Sequence, residues 1–356
     1  MIFLRIAALA FVIVSAGFAQ NAPPAADTNE RLYQSFQMGV LAIQHREWEQ
    51  AVAELSEAAQ LDPSRGAAWA RLGEAYFGMA RSKRGAQSGE ALSKSVDSYA
   101  KAVEKTPDDA AYHNGYALAL AASGRLDEMQ PEMEKAAVLD PSKAAQYYYS
   151  LGGILLSSDR AGEAASVFAK AAKAAPGAPE IYFQYGCALA SQASITQDGK
   201  AALPAAAIDA FHSYLQLAPN GRFAPVVKEA LAVDGSPVEM AFGETVSDKP
   251  GSPRVLSVGG RVQEAKLASK ARPAYPPLAR RLSIAGTVSL NALIGEDGVV
   301  IGLAVDSGNP FLAGAAIDAV KKWSYKPTLL NDKPVRVRTR VDVVFSQMTG
   351  GSRPAQ

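Results

Sequence analysis

The sequence predicts a multidomain protein, an all-α superhelix of repeats followed by a small α+β domain with an antiparallel three-stranded sheet and two helices. Three observations carry this. Prolines at Pro63, Pro107, Pro141, Pro176 and Pro219 each close a stretch of apolar residues at helical spacing. After Gly286 the period drops to two, with Val288, Leu290, Ala292 and Ile294 alternating with Thr287, Ser289, Asn291 and Leu293. A late run, Val335, Val337, Thr339, Val341, Val343 and Phe345, faces one way while Arg336, Arg338, Arg340 and Asp342 face the other, as in a strand.

Residues 1–19 read as an export signal. Arg5 supplies the positive start, Ile6 to Val14 the apolar core, and Ser15-Ala16-Gly17-Phe18-Ala19 the small residues of a cleavage site, so cleavage is expected after Ala19. As helix, the fourteen residues between Arg5 and Gln20 reach about 21 Å, short of the roughly 30 Å hydrocarbon core of a bilayer. The alternative is an uncleaved anchor. Residues 20–31 are expected to be disordered. The single cysteine, Cys187, can form no intramolecular disulfide, so an oxidising compartment follows from the signal alone.

Residues 32–233 form the repeat array. Repeat starts fall near Leu32, Gly66, Ala110, Ala145 and Pro179, with Gly39, Gly73, Ala117, Gly152 and Gly186 at the position of tight helix approach. The second unit is ten residues too long, with its surplus in Arg81 to Lys94, and a nine-residue surplus in the fifth sits around Gln192 to Leu203. Trp69, Leu72, Gly73 and Tyr76 resemble the start of a tetratricopeptide (TPR) repeat, and Ala164, Phe168, Ala171 and Pro176 its close. That resemblance implies stacked antiparallel helix pairs with a concave face that holds an unknown protein or peptide, and a solvating cap helix at Phe223 to Val233. Tyr33, Tyr112, His113, Tyr147, Tyr148, Tyr149 and Tyr182 cluster on the first helices of the pairs. Packing is the expected role for most; a tyrosine row lining a peptide groove is the alternative.

Residues 234–260, punctuated by Gly235, Pro237, Gly243, Pro250, Gly251, Pro253, Gly259 and Gly260, read as a linker with room for a short strand at Arg254 to Val258. Residues 261–348 form the α+β domain and 349–356 a disordered tail. The domain begins with Pro273-Ala274-Tyr275-Pro276-Pro277 and a basic helical stub, Leu278 to Leu282, expected to stop at Gly286. Gly295-Glu296-Asp297-Gly298 turns a hairpin whose second strand carries Val299, Ile301, Leu303 and Val305. Leu312, Ala315, Ala316, Ala319, Val320 and Trp323 then fall at helical spacing before the last strand.

The order helix, hairpin, helix, strand, with Tyr275-Pro276, Gly286-Thr287-Val288, Asp297-Gly298 and Trp323-Ser324-Tyr325 at these offsets, resembles the C-terminal domain of the TonB family. The resemblance implies a periplasmic domain that grips an extended peptide, the TonB box, of outer-membrane TonB-dependent receptors by adding it to its own sheet. Unpaired main-chain groups at a sheet edge would provide that grip. The expected edge is Val335, Arg336, Val337, Arg338, Thr339, Arg340 and Val341, its arginines favouring acidic or polar peptide side chains. Tyr275, Pro276, Gly286, Asp297, Gly298, Trp323 and Tyr325 are assigned to building the domain. An energy-transducing member also keeps an N-terminal helix, carrying a Ser and a His, against an inner-membrane motor. No His lies in residues 1–19, so this chain departs from the family there.

Charge is unevenly spread, and a basic receptor-facing surface would favour acidic peptides or an anionic membrane surface. The net charge of +1 argues against nucleic-acid binding, while residues 261–348 carry 13 Lys and Arg against 7 Asp and Glu, a basic module on an otherwise acidic chain. No phosphate loop, nucleophile elbow or carboxylate pair is evident, and His45, His113 and His212 lack ligand spacing, so no enzyme, cofactor or metal is expected. The reading is an exported periplasmic adaptor. Its alternatives are a membrane-anchored energy transducer that contacts the inner-membrane motor, and an envelope scaffold that pairs with a second copy as a homodimer. Intact-mass analysis separates the first two: the adaptor predicts a mature chain beginning at Gln20, whereas a mass that includes Arg5 would establish the anchor.

Overall fold

The computed structural model describes residues 25–244 and 255–346. The export signal and the tail lie outside the described residues. The chain divides after Thr106 into two compact units.

The first unit holds two helix pairs, α1 (Ala25–His45) with α2 (Trp48–Leu61) and α3 (Gly66–Ser82) with α4 (Ala86–Lys105). Helix α1 starts ahead of Leu32, so residues 25–31 are ordered rather than disordered. Ala25, Ala26 and Glu30 are good helix formers, and Asp27 places negative charge in the first turn, where the dipole favours it. Glycines set the spacing within pairs: a Cβ on Gly39 would lie 2.4 Å from Leu55 Cγ, and one on Gly73 would lie 2.7 Å from the Tyr99 ring. The ten-residue surplus of the second repeat lengthens its helices, to 17 residues in α3 and 20 in α4.

In the second unit the pairs continue as α5 (Ala110–Ala122) with α6 (Leu126–Leu139), α7 (Ala144–Ser157) with α8 (Ala161–Ala174), and α9 (Pro179–Ala190) with α10 (Ala205–Leu217), followed by α11 (Ala224–Val233). The rings of Phe168 and Phe211 occupy the space beside Gly152 and Gly186. The surplus between α9 and α10 folds as a small ribbon, β1 (Ser194–Ile195) against β2 (Ala201–Ala202). Most of the tyrosines pack. Tyr147 is buried, Tyr149 meets Phe168 edge-on, and Tyr182 lies against the core, while Tyr33 in the first unit is exposed. His113 is buried, with its ring nitrogens 2.5 Å from Glu132 Oε2 and 2.8 Å from the Pro107 carbonyl oxygen.

The rest of the second unit comprises β3 (Ala241–Gly243), β4 (Val255–Ser257), α12 (Gly260–Glu264), β5 (Leu267–Ser269), α13 (Pro277–Arg281), β6 (Gly286–Ile294), β7 (Val300–Ser307), α14 (Pro310–Val320), β8 (Ser324–Tyr325), β9 (Thr328–Leu330) and β10 (Lys333–Phe345). The expected three strands, β7, β6 and β10, form its centre, with β6 antiparallel to both neighbours. The sheet is larger than expected. It has six strands in the order β3-β7-β6-β10-β4, with β9 joined to β10. Both extra borders come from the stretch read as a linker: β3 pairs antiparallel with β7, and β4 pairs parallel with β10. Hairpin β9-β10 turns on Asn331 and Asp332, whose φ values of 51° and 61° suit the twist of a two-residue turn. The stub α13 ends at Arg281, and the left-handed residue that follows it is Ser283, with φ 56°, before Gly286 is reached. An Arg280 to Ser283 main-chain bond closes the turn there, leaving Gly286 to open β6.

Helix α11 is not a solvating cap. Val227 and Ala230 belong to one buried cluster with Phe183, Phe211 and Tyr214 from the repeats, Ala279 and Leu282 after the proline motif, and Leu290, Leu312 and Trp323 of the α+β domain. Glu229 of α11 pairs with Arg281 of α13. At the same junction Asn309 caps α14 by accepting from Phe311 N (3.0 Å), while its Nδ2 donates to the Ala190 and Ser191 carbonyls at 3.0 and 3.1 Å. Replacing Asn309 by Asp keeps the cap but sets a carboxylate against two carbonyl oxygens. Asn309→Asp is expected to lower stability by about 2 kcal/mol in urea unfolding; a change within about 0.5 kcal/mol would show that the junction does not depend on this residue.

Candidate peptide-binding edge

Strand β10 has two kinds of border. On one side Val337 to Phe345 pair in register with Ile294 to Gly286 of β6. On the other, Lys333 to Val335 pair with β9, and Arg336 to Arg338 pair with Val255 to Ser257 of β4. Val258 N donates to the Arg338 carbonyl at 2.9 Å, so the main-chain groups of Arg338 point away from β6. By the alternation of an antiparallel strand, those of Arg340, Asp342 and Val344 point the same way. Among the described residues, no strand pairs with that side of Arg340 to Phe345, and no main-chain bond is made to those outward groups.

The seven residues expected at the edge therefore separate. Val335 to Arg338 are covered, Thr339 and Val341 turn their main-chain groups to β6 and bury their side chains, and only Arg340 borders the open stretch. Asp342 and Val344, outside the expected set, complete it. Val344 is 65% exposed. The alternation that named the strand could have found both; what it lacked was the position of β4.

A cleft of about 510 Å³ lies along this open stretch, walled by Gly260, Arg261 and Gln263 of α12, by Leu267 and by Trp323 and Tyr325. Gly260 admits close approach, since a Cβ there would sit 2.7 Å from the Arg340 carbonyl oxygen. The buried Gln263 amide and Thr339 hydroxyl have no hydrogen-bond partner among the described residues, a cost of about 1–3 kcal/mol for each unsatisfied group. Helix α12 thus sits over the edge without satisfying all of its own polar groups.

The arginines are largely engaged by the chain itself. Arg336 bonds Glu244 at 2.7 Å, and Arg340 reaches Asp306 at 3.2 Å and the Ser289 hydroxyl at 2.9 Å. Ser289 in turn donates to Asp342 at 2.6 Å. Lys270, by contrast, lies 4.9 Å over the Trp323 ring at the cleft wall, a cation presented to whatever enters.

The motif residues hold this wall in place. Tyr275 donates to the Ile284 carbonyl and meets the Phe345 ring edge-on. Pro276 caps α13. Trp323 Nε1 donates to the Ala271 carbonyl at 2.8 Å. Asp297 accepts from Val299 N at 3.0 Å, and Gly298, with φ 85°, takes a bond from Tyr325 N at 2.8 Å. A Cβ on Gly298 would lie 1.9 Å from the Tyr325 carbonyl oxygen, so only glycine fits. Among the described residues, no group of three His, Cys, Asp or Glu side chains is placed to hold a metal.

The arrangement is that of a helical repeat array followed by a small α+β domain. Residues 271–346 match the family model for the Gram-negative bacterial TonB protein C-terminal domain. Residues 36–92, 87–128 and 130–179 match that for the tetratricopeptide repeat. The chain is similar to Protein TonB of Vibrio cholerae serotype O1, 29% identical over 109 residues that make up 28% of this chain and 45% of the relative. Protein TonB of Xanthomonas campestris pv. campestris (strain B100) is 36% identical over 76 residues, 21% of this chain and 34% of the relative. The chain thus spans less than half the length of these curated relatives. Among solved structures, it is similar to the MamA protein (17% identity, TM-score 0.43, covering 54% of this chain and 93% of that one). It is also similar to YrrB, described as a TPR protein with an unusual peptide-binding site (18% identity, TM-score 0.42, covering 58% and 96%).

Burial, aided by nearby Glu264, pushes the Tyr325 hydroxyl up to about 12. The unfolded chain ionises near pH 10, so the contribution of neutral Tyr325 is complete below that pH and is lost as pH rises towards 12. Between pH 9 and pH 11 the wild type should lose about 1 kcal/mol more stability in urea unfolding than Tyr325→Phe does; equal losses in both would place the titrating group elsewhere.

Proposed function

We propose that this chain is an exported, non-enzymatic adaptor of the periplasm that binds extended peptides of outer-membrane receptors, of the TonB-box type, by strand addition. The observation that carries this reading is the open stretch Arg340 to Val344 beside a cleft of about 510 Å³. Three outward residues there supply N–H and C=O groups at the spacing of a strand, which gives affinity with little demand on the partner's side chains. The cleft size lies within the range typical of ligand sites. The match of residues 271–346 to the TonB C-terminal family supports a role in TonB-type transport, and the TPR repeats support contacts with further proteins. Among the described residues no helix is long and apolar enough to cross a membrane.

The peptide edge proposed here is Arg340, Asp342 and Val344. Val344→Pro removes one outward N–H and leaves the β6 ladder intact, as proline allows at an edge. The variant should fold, by circular dichroism, and bind a receptor-derived peptide about tenfold more weakly, one lost main-chain bond in a desolvated edge. In the wild type the same peptide should slow amide exchange at Asp342 and Val344. Unchanged affinity in Val344→Pro together with unchanged exchange would count against strand addition here.

A further inference from the structure

Val344 borders a second cleft as well as the first. About 360 Å³ opens beyond the end of β10, lined by Leu156, Asp159 and Ala161 of the α7–α8 turn, by Ser191 at the end of α9, and by Gly286 and Thr287 at the start of β6. Val344 thus lies between the cleft along the open stretch of β10 and a second one walled by the helical turns. The far wall of the second cleft is fixed, because Asn309 bonds the carbonyls of Ala190 and Ser191.

We infer that a peptide added along Arg340 to Val344 continues past Val344 into this second cleft, where Asp159 receives a Lys or Arg side chain of the same peptide. The inference rests on the strand-addition reading and specifies its partner. Asp159 is exposed, is held in a left-handed conformation (φ 59°) at the turn, and makes no ion pair among the described residues. Its neighbour Arg160 is already taken by Asp127 at 2.8 Å and Glu163 at 2.6 Å. The other walls are small or neutral, Ala161, Ser191, Ala285 and Gly286, so they leave room for a long side chain and offer it no competing charge. An exposed ion pair changes affinity by a factor of up to about five, so Asp159 selects among peptides that the strand already holds.

Three acetylated, amidated and labelled peptides titrated into the full chain at low salt test this by fluorescence anisotropy. They are Thr-Val-Thr-Val-Thr, the same core followed by Ser-Gly-Lys, and the same core preceded by Lys-Gly-Ser. One of the extended peptides should bind about three- to fivefold tighter than the core. Asp159→Asn should remove that gain and leave the affinity for the core unchanged. Core binding with no gain, or a gain that survives Asp159→Asn, overturns the inference and leaves strand addition standing. Failure of all three peptides to bind overturns both. A chain ending at Ser346 that binds the extended peptide more than about fivefold tighter than the full chain assigns the cleft to the chain's own Arg353, and the proposed foreign occupant falls.

Discussion

Main-chain N–H and C=O groups at the border of a sheet need partners, and that requirement organises this α+β domain. The chain meets it with its own preceding segment. Residues 240–244 line β7, with Val305 N donating to the Met240 carbonyl at 2.7 Å and Glu244 N to that of Ile301 at 2.9 Å. Residues 255–258 line the first half of β10. A linker of ordinary composition thus becomes the two rims of the sheet. Among the described residues it does not pair with the stretch from Arg340 to Val344, and the proposed function follows from that omission.

A second constraint comes from the repeats. In the second unit the last helices and the sheet are not beads on a string; Phe211, Tyr214, Val227, Leu282, Leu290 and Trp323 belong to one buried cluster. Asn309 serves both sides at once, capping α14 through its carbonyl and binding the end of α9 through its amide. A face that would cap a free-standing array, on α11, is spent on this contact. The open end of β10 consequently lies beside helical turns, which is why its surroundings include residues as distant in sequence as Asp159 and Ser191.

Much of this was legible from residue patterns. Period two named β6, β7 and β10 and the faces of β6 and β10, because burial of one face is visible residue by residue; in β7 an irregularity opposite Leu293 and Ile294 buries Val300 and leaves Val299 exposed, against the expected alternation. The tight approaches at Gly39, Gly73, Gly152 and Gly186 were equally legible, since each needs a missing side chain opposite a large one. Three things were hidden. Strand β3 is three residues long and exposed, so hydrogen bonding to β7 makes it a strand and no apolar alternation announces it, whereas β4 falls within the short strand expected at Arg254 to Val258 and only its pairing with β10 was hidden. The left-handed turn at Ser283 after α13 was obscured by Gly286, a residue with the stronger local signal. The edge itself was displaced along β10, from Val335–Val341 to Arg340–Val344, because its position depends on where β4 stops.

The most direct measurement is a crystal structure of the full chain bound to a receptor-derived peptide. The account predicts an extended peptide hydrogen-bonded to the main chain of Arg340, Asp342 and Val344, with β4 still paired to Arg336 to Arg338. A peptide seated only on the helical repeats, with the border of β10 beyond Arg338 left empty or covered by the chain's own residues, would contradict it.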